Sequence, residues 1–150
     1  MEFQKLLKID KISVYDLPEL AVLFKELSGN DQFIEKMEKS FSFIEKNENY
    51  ILLGARINDS LAGSLMGIVC YDLVDDCRPF MLIENVVVSE NFRGKGIGRE
   101  LMRAIENICV DRNCYYTIFV SGAQRKEAHK FYESIGYRLD AVQGFKKFFN

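Results

Sequence analysis

The sequence has one histidine, His129, and its four cysteines, Cys70, Cys77, Cys109 and Cys114, form no C-x-x-C pair. That makes a poor zinc set, so no metal is expected, and the cysteines read as reduced structural thiols of a cytoplasmic protein. No run of about 18 apolar residues occurs, so no membrane-spanning helix is expected. The opening MEFQKLLKID lacks an apolar h-region and a cleavage site, which predicts no signal peptide. Charge of one sign is scarce as well: a formal net charge of -2 gives no pull toward nucleic acid. Linkers, internal repeats and low-complexity stretches are missing, which leaves one domain over residues 1–150.

What is present is core-forming material, 48% hydrophobic residues with twelve Phe and seven Tyr. LLKID predicts a first strand. DLPELAVLFKEL predicts a helix opened by a capping box of Asp16 and Glu19, with Leu20, Leu23, Phe24 and Leu27 at helical spacing. A second helix follows in DQFIEKMEKSFSFIEK, with Phe33, Ile34, Met37, Phe41 and Ile44 along one side. YILLGARI and LAGSLMGIVCYDL predict strands joined through NDS as a hairpin. FMLIENVVV predicts a strand buried on both faces. Leu101, Met102, Ile105, Ile108 and Cys109 trace a helical stripe, YYTIFV predicts a strand, and QRKEAHKFYESIG a helix closed by Gly136. YRL and GFKKFF predict two final strands. The sum is an α/β (α+β) domain of order βααβββαβαββ, with about seven strands and four helices.

Three of the ten glycines fall within five residues, GKGIG, between the strand ending VVV and a helix. Free N–H groups at a helix start bind anions, and glycine lets a phosphate approach the backbone. Arg93, Lys95 and Arg99 add positive charge. A Walker loop fits poorly, because Gly96 is followed by Ile97 and Gly98. A dinucleotide fingerprint fits poorly, since the spacing is G-x-G-x-G and no carboxylate closes the next strand, IFVSG.

RGKGIG, with Arg93, Gly96 and Gly98 in an R-x-x-G-x-G pattern after an apolar strand, resembles the coenzyme A loop of the GNAT superfamily of N-acetyltransferases. AHKFYESIGY, Ala128 to Tyr137, is similar to that family's later helix and the strand after it. The resemblance implies a mixed, mostly antiparallel central sheet and acetyl-CoA as co-substrate. It implies a diphosphate held by loop amides from Arg93 and Gly94 through Lys95, Gly96, Ile97 and Gly98 to Arg99. It also implies pantetheine lying along Val86, Val87 and Val88, with Val86 and Val88 foremost. Ser121 stands where many relatives carry an Asn facing the cofactor, and Arg125 opens the next helix, where it meets cofactor phosphate, an anionic part of the acceptor, or solvent.

For chemistry, an amine must be neutral to attack a thioester, and a thiolate leaves more readily once protonated. The resemblance makes Tyr132 the acid toward the thiolate. Glu84 is the candidate base, because a carboxylate in so apolar a strand is costly unless used or paired. Asp72 is held in reserve, Asn85 is a hydrogen-bonding neighbour, and His129 falls off the apolar stripe of its helix. The expected acceptor is a small-molecule or peptide amine, with no nucleic acid and no membrane partner. The SGNDQF junction and the LDAVQGF segment are where the family builds its acceptor pocket. Family members often dimerise, and the tail FKKFF either joins such an interface or pairs as a strand. The rival reading is a non-catalytic acyl-CoA-binding sensor on the same fold.

Overall fold

The computed structural model describes residues 6–150. The N-terminal five, on which the signal-peptide reading partly rests, lie outside the described residues. Through Ile118 the chain forms one compact unit, and Phe119–Asn150 forms a second.

The first unit is built on a sheet of order β1-β2-β3-β4-β5. Its strands are β1 (Leu7–Lys11), β2 (Tyr50–Ile57), β3 (Ser60–Cys70), β4 (Phe80–Val88) and β5 (Thr117–Ile118). Neighbours are antiparallel except β4 and β5, which are parallel. The β2–β3 hairpin turns on Asn58 and Asp59 at φ 48° and 66°. Both positive values match the right-handed twist of the strands, and Asn and Asp are among the residues that tolerate them.

Helices α1 (Leu17–Ser28), α2 (Ile34–Ile44) and α3 (Ile97–Asp111) complete this unit. Leu17, Leu20 and Leu23 of α1 pack with Ile12, Phe41, Leu61 and Val87 on one face of the sheet. Each such leucine contributes about 1.5–3 kcal/mol by leaving water. Leu101, Met102 and Ile105 of α3, at most 1% exposed, cover the other face. They approach so closely that a Cβ on Gly67 would stand 2.6 Å from Ile105 Cδ1. The α2 stripe is shallower than its spacing predicts: Phe41 is buried, whereas Phe33 is 65% exposed. In the second unit, α4 (Lys126–Ser134) is the one regular element among the described residues.

The expected seven strands and the order βααβββαβαββ are therefore corrected to five strands in the order βααβββαβα among the described residues. Tyr137–Leu139 and Gly144–Phe149 are not strands. Phe145, Phe148 and Phe149 are 91%, 80% and 85% exposed, so apolar content there found no ladder to join. YYTIFV shrinks to the two residues of β5. Nor is β4 buried on both faces: buried residues alternate with half-buried ones along it.

Asp16 and Glu19 do not form the expected capping box. Asp16 accepts a hydrogen bond from Ser13 N–H at 2.7 Å and pairs with Arg56 Nη2 at 2.6 Å, while Arg56 Nε reaches Asp10 at 3.0 Å. Glu19 instead accepts from the N–H of Leu61 at 2.8 Å. Burial pushes the Asp16 carboxyl up, but the bonds from Arg56 and Ser13 outweigh it and hold the group below its ordinary 3.8. A depressed folded pKa contributes stability above the unfolded value that is lost as pH falls through the folded one. Asp16→Asn is therefore expected to cost about 2 kcal/mol at pH 7, the scale of a partly buried charged hydrogen bond. The gap from the unaltered chain should close below about pH 4. Urea melts across pH check this, and a gap constant with pH would assign the loss to packing.

Candidate active site

The site grows from an irregularity in β4. Met66 pairs with Glu84, but two residues earlier on β3 Ser64 pairs with Val87. Asn85 and Val86 thus share the place of one residue, a β-bulge, and Asn85 takes φ 57°. A bulge reverses the alternation of a strand. Before it, Met81 sulfur faces α3 beside Ile105; after it, Val87 lies in the α1 cluster.

On the other edge of β4 the parallel pairing ends at Leu82, short of the bulge. The β5 pairing consists of Met81 with Thr117 and Leu82 with Ile118. Met81 N–H bonds toward β5, to Tyr116, whereas Ser89 N–H bonds back to Ala62 at the start of β3. Counting back from Ser89, the backbone groups of Val86 and Val88 point away from β3, and Val88 C=O accepts from Arg93 Nε at 3.1 Å. The sequence expectation singled out these two valines. Glu84 lies opposite Met66, half-buried rather than enclosed.

Beyond β4, a 3-10 turn, Glu90–Phe92, leads into the glycine loop. Gly94 and Gly96 have φ 75° and 81°, and a Cβ on either would meet nothing within 4 Å. Bare backbone is thus demanded by conformation, and the space above the loop is open. Gly96 caps α3, and Glu100 is the first residue to bond back into it, through N–H to Gly96 C=O at 3.1 Å. The first N–H groups of a helix have no partner within it. Ile97, 2% exposed, pins the loop's far end into the core. Arg93, Lys95 and Arg99 are exposed, with Lys95 Nζ 5.4 Å from the Phe92 ring centre. Lys95, Gly96 and Arg99 border a cavity of about 240 Å³ against Leu7 and Ile57.

The second unit carries the other candidates. Tyr132 is 6% exposed. Its ring lies 4.5 Å from Phe119, 5.2 Å from Phe131 and 6.4 Å from Tyr137, centre to centre. The helix end holds it: Tyr137 N–H bonds to Tyr132 C=O at 3.0 Å and Gly136 N–H to Glu133 C=O at 3.1 Å, a Schellman closure. Burial pushes the Tyr132 phenol above its ordinary 10.0, with the charge of Arg125 pulling the other way. Ser121 Oγ is buried without a hydrogen-bond partner among the described residues, a state that calls for an explanation. Arg125, at the N-cap of α4, is exposed.

Among the lesser candidates, Asp72 spends its carboxylate on the N–H groups of Leu73 and Val74, at 2.7 and 3.2 Å. His129 is half-buried on α4. The four cysteines are free, and burial first, then neighbouring Cys114, pushes the Cys109 thiol up to about 12, which keeps it unreactive. Among the described residues no cluster of three His, Cys, Asp or Glu could hold a metal ion, and no helix is long and apolar enough to cross a membrane.

The model of the acetyltransferase (GNAT) family matches residues 15–137. The chain belongs to the GNAT acetyltransferase family.

A curated family relative, glucosamine 6-phosphate N-acetyltransferase 1 of Dictyostelium discoideum, is 32% identical over 119 residues, covering 75% of this chain and 69% of that one. N-acetylaspartate synthetase of Danio rerio is 33% identical over 78 residues, 52% of this chain and 27% of the synthetase. The match thus spans about a quarter of the synthetase's length. Among solved structures, a protein of Agrobacterium tumefaciens str. C58 superposes at TM-score 0.87 with 26% identity, covering 93% and 98% of the two chains. Glucosamine-6-phosphate N-acetyltransferase of Arabidopsis thaliana, at 22% identity and TM-score 0.83 over 95% and 98%, shares the fold.

GNAT acetyltransferases use acetyl-CoA, and this chain's residues fit it. The loop offers exposed backbone and cations for a diphosphate, and β4 beyond Leu82 offers an edge without ladder partners for an amide-bearing arm.

Proposed function

We propose that the chain transfers the acetyl group of acetyl-CoA to a primary amine by direct attack, with both substrates bound together on one domain. The observation that carries this reading is the pair of positive-φ glycines leading into α3 beside the open edge of β4. Acetyl-CoA, when bound, supplies a thioester carbon open to nucleophiles.

The chain's own residues supply the rest. Loop amides from Arg93 to Arg99 hold the diphosphate, assisted by the Arg93 and Lys95 charges. Val86 and Val88 offer backbone groups along β4, and the Ser121 hydroxyl and Arg125 add cofactor contacts. Glu84 takes the amine proton, directly or through one water. Tyr132 donates to the leaving sulfur, and its raised pKa keeps that proton in place at neutral pH. The family match across both compact units supports treating residues 1–150 as one functional domain. The relatives' names put amino-sugar phosphates and amino acids first among acceptors to try.

Calorimetry with CoA tests the reading without knowledge of the acceptor. Gly96→Val is expected to bind CoA at least tenfold more weakly, about 1.4 kcal/mol, because a branched side chain strains the φ of 81° and fills the space above the loop. CoA should raise the Tm of the unaltered chain, since the folded state alone binds it, and NAD and ATP should do so far less. Unchanged CoA affinity in a folded Gly96→Val protein would remove the loop from the site.

A further inference from the structure

The glycine loop needs two fixed ends to keep its amides aimed. Ile97 supplies the far one. At the near end, the carboxylate of Glu26, on α1, accepts from the Ser89 hydroxyl at 3.3 Å and from the Glu90 N–H at 3.1 Å. Ser89 is 7% exposed, and its own N–H is tied to Ala62 C=O at 2.8 Å. Glu26 thus grips the point where β4 ends and the turn into the loop begins.

The grip has a counterpart on the same helix. Glu19 lies seven residues earlier, two helical turns and so on the same side, and accepts from Leu61 N–H at the start of β3. Between the two carboxylates, Leu20 and Leu23 are buried against the sheet. One helix therefore fastens the backbone at the beginning of β3 and the end of β4. Occupying the Glu90 N–H also keeps it from any ligand, so the anion-binding register starts further along, at the exposed residues from Arg93 onward.

We infer that Glu26 is a positioning residue for the coenzyme A loop, holding its entry at Ser89 and Glu90 so that the amides of residues 93–99 are aligned before the ligand arrives. The inference rests on the acetyl-CoA reading proposed above. Alignment in advance lowers the ordering cost of binding. Glu26 touches neither substrate in this account, so its removal should act on affinity for the coenzyme.

The test uses the whole chain with two readouts. By backbone 15N relaxation without ligand, Glu26→Ala should show lower order parameters at Glu90 and through residues 93–99, with β2 and β3 as rigid as before. By calorimetry with CoA, Glu26→Ala should bind about tenfold more weakly. Ser89→Ala, which removes one of the two bonds, should fall between it and the unaltered chain. Glu26→Gln, which keeps one acceptor oxygen, should recover part of the loss. If Glu26→Ala folds poorly, Ser89→Ala and Glu26→Gln carry the comparison. Unchanged order parameters in the loop with unchanged CoA affinity overturn the inference, as does a loss of order spread evenly over α1 and the sheet. An unaltered chain that does not bind CoA overturns the acetyl-CoA reading, and the relaxation experiment still decides whether Glu26 restrains the loop.

Discussion

Tyr132→Phe is expected to fold and to bind acetyl-CoA as the unaltered chain does, while kcat falls by about 10- to 10³-fold. The ring sits among Phe119, Phe131 and Tyr137, and phenylalanine preserves every one of those contacts. The Schellman closure that fixes the helix end is made by backbone groups and also survives. What is lost is one proton, and burial raises the pKa of the phenol that carries it. A donor of raised pKa stays protonated through neutral pH and up to its ordinary 10.0, so any alkaline decline in kcat below that value should arise elsewhere. A tyrosine serving only the core predicts the reverse pattern, an intact kcat and at most about 1 kcal/mol of lost stability. Measuring kcat and Tm on the same variant separates the two.

Glu84→Gln is expected to lower kcat/KM by about 10²-fold, within the usual range for loss of a general base. Glutamine keeps the shape and the pairing opposite Met66 across the ladder. The defect should shrink as pH rises, because the acceptor amine then loses its proton to solvent. Glu84 is half-buried beside the bulge, a position that admits a water between it and the amine. A variant whose pH–rate profile matches the unaltered chain would move the role to water or to Asp72. Asp72 would first have to release the N–H groups of Leu73 and Val74.

Elements were legible where local pattern and partner agree. YILLGARI and FMLIENVVV are strands over the predicted residues, because their apolar runs end at turn residues and both pair along the eleven-residue β3. The glycine loop was legible because positive φ at Gly94 and Gly96 leaves a compositional mark. The bulge left almost none: a lone Asn in an apolar strand is its only trace, Asn being among the residues that accept φ near 57°. GFKKFF was misread because strand formation needs a second edge, which its exposed side chains do not have. Glu26 was invisible for a different reason. Its partners lie 63 and 64 residues away, and nothing in EL at the end of an amphipathic helix distinguishes a carboxylate in solvent from one gripping a distant turn. Glu19 shows the same limit, since the capping pattern was present and tertiary contact with Leu61 took the side chain instead.

Release of CoA thiol from acetyl-CoA, followed across a panel of primary amines with acetylated product identified by mass, tests acetyl transfer most directly. The panel should include amino-sugar phosphates, amino acids, polyamines and peptide amines. The account predicts thiol release well above the rate of hydrolysis with at least one amine class, an acetylated amine in equal amount, and both slowed about 10- to 10³-fold in Tyr132→Phe. Tight CoA binding with no amine-dependent thiol release across the panel would contradict it and leave a binding protein in place of an enzyme.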